Sequence, residues 1–150
     1  MQCTYGWDWV ERFVTCGIFR PVSICYGKDM SVDSAYILTE SIDQYSAQLY
    51  IELEMKNYAE GGLVRIEVVS PDGSVARATD VYCREPKIVR RLDIANPRLW
   101  YPIGYGEHPL YTLRVTVGEE VFEETFGIRT AKILQLVDEK GSEYETLCRQ

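Results

Sequence analysis

The sequence predicts an all-β fold, an immunoglobulin-like antiparallel β-sandwich of about seven strands. Three observations carry this expectation. Apolar and polar residues alternate with period two from about residue 34 to residue 129. Turn-forming residues interrupt that pattern every ~8–12 residues. No stretch shows a convincing helical period.

The first strand is AYILTES, near residue 36. In AQLYIELEMKNY, Leu49, Ile51, Leu53 and Met55 fall on one face, and Tyr50, Glu52, Glu54 and Lys56 on the other. Such a strand is half-buried with a wet outer side. Glu60-Gly61-Gly62 turns the chain where positive φ is cheap. LVRIEVVS follows, with Val64, Ile66 and Val68 on one side, and Pro71-Asp72-Gly73 ends it as a tight turn. VARATDVYC is the next strand. KIVRRLDIA places Ile88, Arg90, Leu92 and Ile94 in one phase against Val89, Arg91 and Asp93. The turn-rich loop NPRLWYPIGYGEHP separates it from LYTLRVTV, where Tyr111, Leu113, Val115 and Val117 share a face. Gly118-Glu119-Glu120 then turns into VFEETFGI, its hairpin partner. There is no Cys-Trp-Cys pattern of antibody spacing, so the sandwich is expected to lack the antibody disulfide.

The two ends read differently. Residues 1–29 are rich in aromatic side chains and carry a strand-like segment of their own, GIFRPVSICYG. Residues 132–150 lose the alternation and become charged. Both look like stubs of neighbouring domains around a sandwich spanning about 30–131. Stripped of its parent sheet, the first stub should expose Trp7, Trp9, Phe13, Ile18 and Phe19, so residues 1–29 are expected to pack on their own sandwich, to self-associate with a second copy, or to be poorly ordered.

Composition narrows the function. A net charge of −7 argues against nucleic acid and against an anionic membrane surface as partners. No apolar run approaches the ~20 residues that span a bilayer, and the first residues do not resemble a signal peptide. The five cysteines (Cys3, Cys16, Cys25, Cys83, Cys148) are odd in number and show no CxxC spacing. With His108 as the lone histidine, a zinc site is not expected. Reduced thiols in a cytoplasmic protein are the expectation, with a Cys3–Cys16 disulfide as the alternative.

The stretch GWDW, Gly6 to Trp9, flanks one carboxylate with two indoles. A carboxylate offers about four acceptor sites and suits a diol, and an indole face suits an apolar sugar face. From the residues alone, Asp8 is equally a turn cap or a partner for Arg12, four positions on, and Trp7 and Trp9 are core or interface residues. Glu119-Glu120 and Glu123-Glu124 are not read as a catalytic pair, because adjacent strand residues face opposite sides. They read as a solvated acidic edge. Trp100, Tyr101 and Tyr105 read as an aromatic cluster sealing the sandwich end, His108 as a solvated loop histidine, and Arg20 as half of an ion pair.

Taken in order, YGWDWVERFVTCGIFRPV (Tyr5 to Val22), NPRLWYPIGYGEHPLYTLRV (Asn96 to Val115) and FGIRTAKI (Phe126 to Ile133) resemble family 2 glycoside hydrolases, and within them the β-mannosidases. After WDW the usual pattern continues Gly-Pro, where this chain has Val10-Glu11. The resemblance implies a retaining exo-acting enzyme that removes terminal β-mannose. Its architecture would be a sugar-binding jelly roll, this β-sandwich, and then a (β/α)8 barrel carrying two catalytic glutamates ~5–5.5 Å apart. It further implies that residues 1–29 end the jelly roll, that 132–150 lead into the barrel, and that this segment is a non-catalytic scaffold between the two domains. Asp8 would then accept hydrogen bonds from the terminal sugar, with Trp7 or Trp9 walling the pocket. No metal or organic cofactor is implied. The competing readings are the same family with a β-galactoside, β-glucuronide or glucosaminide substrate, and a free-standing carbohydrate-binding or adhesion sandwich.

Overall fold

The alternation in the sequence translates into seven strands: β1 (Ser31–Ile42), β2 (Ser46–Lys56), β3 (Leu63–Val69), β4 (Val75–Tyr82), β5 (Lys87–Ala95), β6 (Tyr111–Val117) and β7 (Glu120–Phe126). The computed structural model describes residues 5–9, 11, 12, 14, 16–22, 24, 26–138 and 141–149, with side chains through residue 132. β1-β2-β5 form one antiparallel sheet and β4-β3-β6-β7 the other. The fourth strand hydrogen-bonds to β3 rather than to β5, so the division is three plus four and differs from the constant-type immunoglobulin arrangement. Among the described residues there is no helix long and apolar enough to cross a membrane.

The core lies between the sheets and is built from the predicted faces. Leu49, Ile51 and Leu53 of β2 oppose Val64, Ile66 and Val68 of β3 and Leu113 and Val115 of β6, all without solvent exposure. Register explains why these residues meet. Leu49 lies opposite Leu92 and Leu53 opposite Ile88, while Ile66 lies opposite Val115 and Val68 opposite Leu113. Each pair presents two apolar side chains on one face, where direct cross-strand neighbours touch.

Arg90 departs from its phase. It faces Ile51 in register, on the core side of β5, yet it is exposed and its Nη1 donates to the carbonyl of its neighbour Val89 at 2.6 Å. β5 is the edge of its sheet, so the side chain escapes past the open side. Arg77 of β4, an edge strand of the second sheet, repeats the arrangement opposite Val68. A core-phase charge on an edge strand discourages edge-to-edge pairing.

Side chains that accept from the backbone fix the connections. In the β1–β2 turn, Asp43 Oδ1 accepts from the amides of Tyr45 (2.8 Å) and Ser46 (2.7 Å), and Oδ2 accepts from Ser46 Oγ (2.8 Å). At Pro71-Asp72-Gly73, Asp72 Oδ1 accepts from the amide of Ser74 at 2.9 Å and from its hydroxyl at 2.6 Å, with Gly73 at φ 85°. β6 and β7 are joined by Gly118 and Glu119 alone, with Gly118 at φ 58°, where a side chain would be strained. Tyr111 opens β6. Its ring is buried and its hydroxyl accepts from the Arg98 amide at 2.8 Å, much like the tyrosine corner of other sandwiches.

The Asp43 hydrogen bonds give a pH signature. The Tyr45 amide first, then the Ser46 hydroxyl and amide, stabilise the ionised carboxylate and hold its pKa below the usual value. A carboxylate lowered in the folded state adds stability that is complete above its unfolded pKa of ~3.9 and is lost as the pH falls through the folded value. Asp72 behaves likewise through Ser74. Asp43→Asn is therefore expected to flatten the decline of the denaturation midpoint on acidification below about pH 4. Parallel acid profiles for the variant and the parent would rule out this contribution.

Two expectations for the ends are corrected. No strand forms among the described residues of 17–27; Ser23 and Cys25 of that segment lie outside them. Residues 132–150, expected to lose the strand pattern, lie largely in a hairpin of β8 (Thr130–Asp138) and β9 (Gly141–Arg149), in register from Thr130↔Arg149 to Asp138↔Gly141. In the sequence the apolar residues fall as the neighbours Ile133-Leu134 and Leu136-Val137, which hides period two.

Candidate functional site

Gly6, at φ 122°, leads into Trp7-Asp8-Trp9. The two indoles meet edge to face, with centroids 5.9 Å apart and planes at 74°. They are 56% and 80% exposed, and Asp8 between them is exposed. The alternative pairing of Asp8 with Arg12 does not form: the Arg12 guanidinium stands 5.8 Å over the Tyr5 ring. Arg20 likewise lies over the ring of Phe19, at 5.5 Å, rather than in an ion pair. Ile18 and Phe19 are exposed as expected, and Phe13 lies outside the described residues. Among the described residues nothing occupies the acceptor sites of the exposed Asp8 carboxylate.

Two hollows lie elsewhere among the described residues. One, of about 620 Å³, is bounded by Asp29, Asp33, Lys56, Val121 and Phe122; the other, of about 740 Å³, by Leu38, Glu40, Phe126, Arg129 and Lys132. Neither includes Trp7, Asp8 or Trp9. In the first, Asp33 is held by Lys56 at 2.8 Å. Among the described residues, no group of three or more His, Cys, Asp or Glu side chains is placed to hold a metal ion.

Several strand carboxylates, Glu40, Glu52 and Glu123 among them, are engaged with cations. Arg91 donates to both oxygens of Glu40, at 2.7 and 2.9 Å, and this pairing lowers the Glu40 pKa. Glu52 takes Lys87 and the Tyr50 hydroxyl, which lowers its own pKa and raises that of Tyr50. Glu123 of the hairpin binds Arg114 at 2.7 Å, as fits a solvated acidic edge.

The aromatic loop between β5 and β6 splits into two parts. Trp100 and Tyr101 are half-buried at the sandwich end. The Trp100 ring meets His108 edge-on at 5.5 Å and carries the Arg129 guanidinium at 4.9 Å. Tyr105 does not join them. It is 82% exposed, lifted by a turn in which its amide donates to the Pro102 carbonyl at 3.0 Å and Gly104 takes φ 90°. His108 is exposed, as expected of a loop histidine. Of the described cysteines, Cys16 is exposed and Cys83 buried, both as free thiols. Burial pushes the Cys83 thiol pKa up.

Comparison with known proteins places this geometry. The β-mannosidase B of Aspergillus fumigatus (CBS 144.89) is 30% identical over 152 residues, covering 95% of this chain and 18% of that enzyme. The β-mannosidase B of Thermothelomyces thermophilus is 29% identical over 144 residues, covering 89% of this chain. The chain therefore spans under a fifth of the length of these relatives. Among solved structures, the β-D-mannosidase of Dictyoglomus thermophilum superposes with a TM-score of 0.74 at 28% identity, over 98% of this chain and 19% of its own. The β-glucuronidase of Bifidobacterium dentium superposes with a TM-score of 0.63 at 22% identity over 71% of this chain, a likeness of fold. The sequence profile of glycosyl hydrolases family 2 matches residues 30–129, the span of the seven-strand sandwich and the start of its exit, and the chain belongs to that family.

Proposed function

We propose that this chain is the β-sandwich segment of a retaining exo-glycosidase acting on terminal β-mannosides, with a non-catalytic role between a sugar-binding jelly roll and a catalytic barrel. One observation carries the mannoside reading. The likeness to an enzyme named as a β-mannosidase runs through 98% of the chain, both ends included, whereas the likeness to a β-glucuronidase stops at 71%. The non-catalytic role is supported by the strand carboxylates Glu40, Glu52 and Glu123, which are committed to Arg91, Lys87 and Arg114. In this reading Asp8 is a sugar contact, Trp7 and Trp9 are pocket walls, and the enzyme is cytoplasmic, with Cys16 and Cys83 kept reduced.

The test is a panel of chromogenic β-glycosides offered to the gene's full product and to the 150-residue chain. The full product is expected to prefer the β-mannoside, and the chain alone to cleave none. Preference for a β-galactoside or β-glucuronide overturns the substrate. Measurable sugar affinity of the chain alone favours a binding module instead.

A further inference from the structure

One residue of the β5–β6 loop touches three consecutive residues of the segment by which the chain leaves the sandwich. β7 ends at Phe126 and β8 begins at Thr130. Gly127 lies directly beneath Trp100: a Cβ placed there would come 2.7, 2.8 and 2.9 Å from Trp100 Cγ, Cβ and Cδ1. Those atoms sit next to the Trp100 backbone, so no flexible side-chain end can swing away. The φ of Gly127 lies outside the left-handed region, so close approach, not conformation, demands glycine there. At the next residue the Trp100 amide donates to the Ile128 carbonyl at 3.0 Å, and the Ile128 side chain is fully buried. At the third, the Arg129 guanidinium stacks on the Trp100 ring.

The loop that carries Trp100 is itself anchored. The Arg98 amide donates to the buried Tyr111, the Tyr101 amide donates to the Glu107 carbonyl at 3.0 Å, and Arg98 pairs with Glu107 at 2.8 Å. The Tyr101 ring closes over Gly106, where a Cβ would approach it to 2.7 Å. The loop is thus held at both sides of the point where it crosses the exit segment.

We propose that the β5–β6 loop is a strap that sets the path from β7 into β8, with Trp100 as the positioning residue and Gly127 as its seat. The strap removes the freedom that a three-residue connection would otherwise have, so the sandwich and the segment that follows hold one orientation. Its consequence for a glycosidase rests on the function proposed above; the strap itself does not.

The experiment uses the 150-residue chain and its variants Gly127→Ala and Trp100→Ala. Amide exchange and residual dipolar couplings are read for β2, β3 and residues 128–138. In the parent chain one orientation of β8 relative to β2 should fit the couplings. In either variant, exchange at the residue-100 amide should rise at least about tenfold. The β8 couplings should shrink or change, while β2 and β3 keep their protection. A β8 that already reorients freely in the parent overturns the proposal, as do variant couplings equal to the parent's. If Gly127→Ala or Trp100→Ala unfolds the sandwich, Arg129→Gln takes its place, since it removes the stacking cation and leaves Trp100 on Gly127. Couplings unchanged by that substitution then count against the strap. A strap that holds in a full product that cleaves no β-mannoside refutes the function reading and leaves the strap standing.

Discussion

Ile66→Ala is expected to lower the unfolding free energy by about 2–5 kcal/mol, the largest stability effect of any single truncation considered. Ile66 sits at the middle of β3, which is hydrogen-bonded to β4 on one side and β6 on the other, with Thr79 and Val115 opposite it in register. Its side chain is fully buried against the facing sheet. With both neighbours fixed by ladder hydrogen bonds, the backbone cannot collapse into the space left behind, so the cavity contribution adds to the lost transfer free energy. Leu38 is the control. It is equally apolar but 45% exposed on β1, an edge strand, and Leu38→Ala should stay within about 0.5 kcal/mol. Chemical denaturation of both variants decides the matter. Equal losses would mean that the core is not where the two sheets face each other.

Asp8→Asn, made in the full product, is expected to reduce kcat/KM for an aryl β-mannoside by about 10–100-fold, the worth of one or two hydrogen bonds to a charged acceptor. The change replaces an acceptor-only group with an amide that presents one oxygen and two donors. In the 150-residue chain the same substitution should leave the denaturation midpoint untouched, because Asp8 is exposed and makes no hydrogen bond or ion pair to a described residue. Arg12→Ala should leave turnover nearly unchanged, since Arg12 faces Tyr5 and not Asp8. Full activity in Asp8→Asn removes the sugar role from this residue. A fall in midpoint alone would make it structural.

The strands were legible because their chemistry repeats at the period of the fold. Leu49, Ile51 and Leu53, or Leu113, Val115 and Val117, state their face two residues at a time, and a sheet with one dry side must bury that face. Pro71-Asp72-Gly73 and Gly118 announced turns for a local reason, since a following amide or a positive φ is needed within a few bonds. The hairpin of β8 and β9 was not legible, because adjacent apolar pairs such as Ile133-Leu134 carry no period-two signal. The three-plus-four division of strands was equally silent, since nothing in VARATDVYC states whether its partner is β3 or β5.

For the candidate site, the composition of Trp7-Asp8-Trp9 was readable while its surroundings were not. The sequence offers Arg12 four residues from Asp8; the structure turns that arginine onto Tyr5 and leaves the carboxylate open. Arg90 belongs to a core-facing phase by spacing, and only the edge position of β5 lets it out. What the sequence determined by itself was an alternation that makes two half-dry sheets, together with the turns that connect them. Those follow from bonds and side chains within a few residues of one another. The tertiary structure alone decided which strand became an edge, and that Trp100 would rest on Gly127. Both depend on which chain segments, 27 residues apart in the second case, come within van der Waals reach.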